Sequence, residues 1–231
     1  MKQFLLLLIL FIGLPCMAVD ISVIQEKGFN GLLEYKIEHE VSPKIRACEF
    51  DKAYDILDYY WKNYSKLNND KWSLTSYAEY QKSNLYMHWL YSFVGRQIYM
   101  GHGTSIVYGK MLVQPEIEKY MSDLYRPFIK MPRLMQQEYI HGFIVLGEKC
   151  INEGKLKTQQ ERDVYLCHCL YLLRATRDRQ AYYTLSFHIN NVSKLLVKED
   201  SLYPHPCIKK FTHDQLNIKD GYPIRQKKKK K

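Results

Sequence analysis

The stretch RLMQQEYIHGFIVLGEKCINEGKLKTQQE, residues 133–161, decides the fold class. Within it Met135, Tyr139, Phe143, Leu146 and Cys150 recur at steps of three and four, the repeat of one face of an α-helix. Gly154 follows as the residue suited to the left-handed turn after the last helical carbonyls. Thr158-Gln159-Gln160-Glu161 then has the form of a capping box, in which threonine and glutamate satisfy each other's free backbone donors at a helix start. The short connection between the two helices, residues 153–157, implies an antiparallel pair.

The same logic extends in both directions. Ser42-Pro43 reads as an N-cap with proline at the first helical position, opening a stripe of Ile45, Cys48, Ala53, Ile56, Tyr60, Tyr64 and Leu67 that Asn68-Asn69-Asp70 ends. Ser76-Tyr77-Ala78-Glu79 reads as another capping box, followed by an apolar face of Tyr86, Trp89, Leu90, Phe93 and Ile98 that stops at Gly101-His102-Gly103. A third helical stretch runs from Thr104 to about Tyr125, interrupted before Pro115. After the capping box at Thr158, Val164, Cys167 and Tyr171 carry a helix to Ala175, residues 174–180 mark a bend, and residues 181–197 form one more helix. The expectation is a mainly α protein, with five to six amphipathic helices in an antiparallel bundle over residues 42–199 and no internal repeat.

Ahead of the helices, Lys2, the apolar stretch from Phe4 to Leu14 and Pro15-Cys16-Met17-Ala18 follow the order of a secretory signal, with cleavage after Ala18. A membrane anchor needs about twenty apolar residues, and Asp20, Gln25 and Glu26 arrive too soon. Residues 19–41 suggest a small hairpin: Ile21 to Ile24 is a short apolar run, Gly28-Phe29-Asn30-Gly31 has turn chemistry, and Leu33 to Val41 alternates apolar with charged residues apart from His39. Localisation is therefore expected to be secreted or periplasmic.

The formal net charge is +10, of which +7 falls in residues 201–231. A nucleic-acid-binding domain would spread Lys and Arg over a folded face, so that class is not expected. The run Lys227, Lys228, Lys229, Lys230, Lys231 ends a basic, proline-containing tail over residues 200–231, and gives weak attraction to an anionic membrane or reads as a solvated terminus. Removing Cys16 with the leader leaves Cys48, Cys150, Cys167, Cys169 and Cys207. In an oxidising compartment Cys207 is expected to staple the tail to the body, with Cys48 or Cys150 as its partner.

Three groupings contain residue types capable of chemistry. Glu138-Tyr139-Ile140-His141 puts a carboxylate and an imidazole one helical turn apart, half of the pattern with which di-iron bundles hold metal, but the second half is missing. Cys167-His168-Cys169 points its neighbours in different directions on a helix and is read as core filling. Asp51, Asp55 and Asp58 line one face and are read as a solvated surface beside Lys52 and Lys62. No cofactor and no metal site are expected.

The chain has 20 tyrosines, crowded in the first two long helices. Tyr54, Tyr59, Trp61, Tyr77 and Tyr80 combine stiff apolar area with polar edges, which suits contact with a macromolecule, whereas tyrosines at a core boundary are the structural alternative. The sequence thus favours an exported helical binding protein acting on another macromolecule, with a protein as partner, of an inhibitor, immunity or effector type. A secreted hydrolase or metal-dependent enzyme centred on Glu138 and His141 is the second expectation, and association with an anionic surface through the C-terminal lysines the third.

Overall fold

The computed structural model describes residues 21–68, 75–103, 114–196, 218–219 and 222–223, with side chains described over residues 28–68, 76–103 and 119–192. The expected leader, Cys207 and the lysine run lie outside the described residues. Among those described, the chain is mainly helical and its helices pack on one another. A two-residue antiparallel pairing of β1 (Ile218–Lys219) with β2 (Tyr222–Pro223) accompanies them. No helix among the described residues is long and apolar enough to cross a membrane.

The segment expected as a hairpin is helical instead. α1 spans Ile21–Lys36, kinked at Gly28 (φ 60°, ψ −153°), and a five-residue π-helical stretch, Ile37–Val41, continues it. Leu33, Ile37 and Val41 are all buried. Their spacing of four suits a period of two and a period near 3.6 equally, so alternation alone could not decide between strand and helix. The glycine-rich turn chemistry survives only as the kink.

Ser42 does not open the next long helix. Its hydroxyl donates to the Ile37 carbonyl at 2.8 Å, which continues the preceding turn into the short α2 (Ser42–Arg46). α2 closes with the Cys48 N–H on the Ile45 carbonyl at 3.0 Å and the Glu49 N–H on the Lys44 carbonyl at 2.8 Å, the paired bonds of a Schellman turn. Cys48 takes the left-handed position there, at φ 59°. A side chain in that conformation costs roughly 1–2 kcal/mol, and glycine usually fills it.

α3 spans Phe50–Leu67 and buries Phe50, Ala53, Leu57 and Tyr64. Its buried face is rotated from the expected stripe, since Ile56 and Tyr60 are only half-buried and Phe50 and Leu57 were passed over. The Tyr64 hydroxyl lies 3.1 Å from Asn30 Oδ1 and 2.9 Å from the Ala78 carbonyl, joining α1, α3 and the next helix. That helix, α4 (Thr75–Ile98), includes Ser76 as its second residue, so Ser76 is not the N-cap.

α5 spans Gln114–Tyr125 and leads through the 3-10 turn Pro127–Lys130 into α6 (Arg133–Asn152). α6 matches its expected span and buries Met135, Tyr139, Phe143, Leu146 and Cys150. Gly154 (φ 63°) caps it: its N–H bonds the Ile151 carbonyl at 3.1 Å, and the Lys155 N–H bonds the Cys150 carbonyl at 2.8 Å. The capping box of Thr158 and Glu161 is formed at the start of α7 (Gln159–Ala175).

α7 departs from the amphipathic expectation. Every residue from Asp163 to Leu173 is buried, the pattern of a helix surrounded on all sides. Its backbone lies near α4, α5 and α8 (Arg179–Leu196), while α6 runs alongside α4 and α8. α6 and α7 meet through large side chains: the rings of Phe143 and Tyr165 stack at 5.5 Å, and Tyr165 fills the space beside Gly147.

Two polar residues, Gln136 and Asp178, organise the connections. Gln136 is buried, donates to the Phe128 and Met131 carbonyls at 3.0 and 3.2 Å, and accepts from the Arg177 and Asp178 N–H groups at 3.0 and 3.2 Å. Asp178 caps α8 by accepting from the Ala181 N–H at 2.9 Å and also accepts from Gln137 Nε2 at 2.9 Å. Those donors, led by the backbone of Ala181, hold the Asp178 carboxyl below the usual carboxylate range.

Candidate functional site: an aromatic strip across two helices

Residues 54, 58 and 61 of α3 fall within about 60° of one another around the helix, and residue 59 lies about 140° from residue 54. Tyr54, Asp58 and Trp61 therefore share an edge with α4, where they meet Trp89 and Phe93. The Trp89 and Phe93 rings are stacked at 5.4 Å with an interplanar angle of 8°, and Trp61 stacks on Trp89 at 5.7 Å and 28°. Tyr54 joins them at 6.2 Å from Trp89 and 5.8 Å from Phe93. All four rings are half-buried. Trp61 and Trp89 also pack against both apolar clusters of the protein, the smaller one beneath α1 and the larger one around α7, so the strip lies over the seam between them.

Charged groups fix this edge. Trp89 Nε1 donates to Asp58 Oδ1 at 3.0 Å, and Lys62 Nζ donates to Asp58 Oδ2 at 2.5 Å. Burial alone would raise the Asp58 carboxyl, but the bonds from Lys62, Trp89 and Tyr54 outweigh it and hold it below its ordinary value. Burial, then the bond to Asp58 and its charge, push the Tyr54 hydroxyl up to about 12, so it remains a donor at neutral pH. The Arg96 guanidinium lies 4.3 Å from the Tyr54 ring centroid and also bonds Asp51. Asp51 and Asp58 are thus built into the strip rather than lying on a freely solvated face; of the three acids expected there, Asp55 alone is fully exposed.

Behind the strip runs a chain of buried hydrogen bonds. Gln97 Nε2 donates to the Tyr120 hydroxyl at 3.3 Å, and Gln97 Oε1 lies 2.5 Å from His168 Nε2, which must therefore carry the proton. His168 Nδ1 is left to accept from the Tyr125 hydroxyl at 2.8 Å. Burial pushes the His168 pKa down to about 3, consistent with this neutral tautomer. A second buried pair places the Tyr165 hydroxyl 2.6 Å from His188 Nε2. Both networks satisfy polar atoms inside the core.

The five residues singled out in the sequence do not form one surface. Tyr54 and Trp61 belong to the strip. Tyr59 is exposed and meets Tyr60 edge to face, around the other side of α3. Tyr77 donates to Glu34 at 2.8 Å, tying α4 to α1, and Tyr80 is exposed. Trp89, Phe93 and Arg96 were missed as site residues because a helical stripe of aromatics reads as core; the alignment of Trp61 with Asp58 one turn away was the available signal.

Glu138 and His141 are both exposed on α6. Among the described residues, no group of three or more His, Cys, Asp or Glu side chains is placed to hold a metal ion. Cys167 and Cys169 are buried in α7, and the buried His168 between them is engaged as above. The fold and strip define the class as an all-α protein with an aromatic edge between two helices. No family model matches the chain, and no curated protein or solved structure matches it.

Proposed function

We propose that this chain is an exported binding protein whose helices form an antiparallel bundle, and that it grips another macromolecule, a protein, through the edge formed by Tyr54, Trp61, Trp89 and Phe93. The observation that carries the reading is the stacked, half-buried row of these rings, bordered by Asp58, Lys62, Arg96 and Asp51. Aromatic anchors surrounded by polar groups are the composition of energetically dominant contact regions. Rings already stacked and held by Asp58 lose little further side-chain freedom on binding, which favours affinity. The role envisaged is that of an inhibitor, immunity factor or effector adaptor, by analogy of architecture and export alone.

The test is co-purification of the tagged chain from its native exported fraction, with Tyr54→Ala/Phe93→Ala compared against the unaltered protein. Both side chains are half-buried, so the variant is expected to keep its helical circular dichroism. The expected result is a stoichiometric partner retained by the unaltered chain and reduced at least tenfold by the variant. Equal recovery with both chains would remove the strip as the contact surface.

A further inference from the structure

Cys48 and Cys150 are separated by about a hundred residues in sequence, yet the fold brings their surroundings together. Lys149 Nζ donates to Cys48 Sγ at 3.0 Å, and Lys149 is the neighbour of Cys150 in α6. Cys48 packs against the apolar cluster that contains Cys150. Tyr91 packs against the same cluster. Cys48 is half-buried, whereas Cys150 is fully buried. The backbone gives a separate indication: Cys48 occupies the left-handed position of a helix-ending turn, where glycine would fit without strain.

We propose that Cys48 and Cys150 form a thiol pair that is closed to an intramolecular disulfide by exchange with a small disulfide such as oxidised glutathione. Cys48 is the attacking group, because it is the accessible sulfur and has the Lys149 ammonium against it. Its thiolate attacks one sulfur of glutathione disulfide, breaking that bond and releasing glutathione thiolate, which takes a proton from water. Cys150 then loses its proton to solvent base, attacks the Cys48 sulfur of the mixed disulfide and releases the second glutathione. Two protein thiols and one glutathione disulfide become one protein disulfide and two glutathione thiols. Burial pushes the Cys150 thiol up to about 12, which disfavours it as the first attacker and makes closure the slower step. The bond would tie the turn between α2 and α3 to the end of α6.

The experiment incubates the reduced full chain with oxidised glutathione at mildly alkaline pH and maps the non-reduced peptides by mass spectrometry over time. The expected product is a linked peptide pair containing Cys48 and Cys150, two hydrogens lighter than the separate peptides. The Cys150→Ser variant should accumulate a glutathione adduct at Cys48, and Cys48→Ser should leave Cys150 unmodified over the same period. Because Cys150→Ser disturbs a buried site, the half-buried Cys48→Ser variant provides the control that does not depend on the core. Linkage of either cysteine to Cys207, a glutathione adduct at Cys48 that never closes in the unaltered chain, or no reaction at Cys48 would each overturn the proposal.

Discussion

Acidification from pH 7 to pH 3 is expected to reduce folding stability by about 4 kcal/mol through His168 alone. The group is completely buried and neutral, holding a proton on Nε2 for Gln97 and a lone pair on Nδ1 for Tyr125. Its folded pKa, about 3, lies below the ordinary value of 6.5. Between those values the unfolded chain binds a proton that the folded chain does not, so stability falls as pH falls through this interval, by about 1.4 kcal/mol per unit. Well above pH 6.5 both states are neutral and the dependence on this group vanishes. His88 and His188 are also lowered by burial and act in the same direction.

Since small proteins are stable by only about 5–15 kcal/mol in all, cooperative acid unfolding is expected within this window. Denaturant midpoints measured from pH 7 to pH 3 would show it, and His168→Gln should flatten the dependence by roughly one proton. An unchanged slope in a folded His168→Gln variant would show that His168 is not the neutral, water-free group described here.

The second large effect is expected from a single methyl group. Replacing a helical glycine by alanine ordinarily stabilises a helix by about 1 kcal/mol. At Gly147 the added carbon would lie 1.9 Å from the Tyr165 hydroxyl and 2.4 Å from its ring. Tyr165 has little room to yield, being fully buried, stacked on Phe143 and bonded to His188. Gly147→Ala should therefore destabilise by about 3 kcal/mol, the upper range for overpacking, and lower the thermal midpoint by roughly 6–12 °C in a chain of this size. Gly142→Ala, whose new carbon would lie 3.1 Å from Tyr91, should cost less. A Gly147→Ala protein as stable as its parent would mean that α6 and α7 do not approach as described.

α6 was legible because its capping glycine, apolar spacing and the capping box after it are local signals that agree with one another. Leu33, Ile37 and Val41 were misread because a spacing of four belongs to either period, and the contacts that decide it come from α3 and α4. Likewise Asp58 resembled a solvated acid until Trp89, thirty-one residues away, was found donating to it. The burial of His168 follows from α7 being enclosed on every side, whereas its sequence showed cysteines and leucines that an amphipathic helix would also carry. Local chemistry set the end of α6 and the start of α7; partners from distant segments set the roles of polar and aromatic side chains.

Hydroxyl-radical footprinting of the isolated complex bears most directly on the proposed contact edge. Tyr54, Trp61, Trp89 and Phe93 should be protected from oxidation in the complex relative to the free chain, while Leu134 and Phe187, exposed on α6 and α8, should be unaffected. Unchanged oxidation of the four rings, with protection around Glu138 and His141 instead, would contradict the account and transfer the interaction to α6.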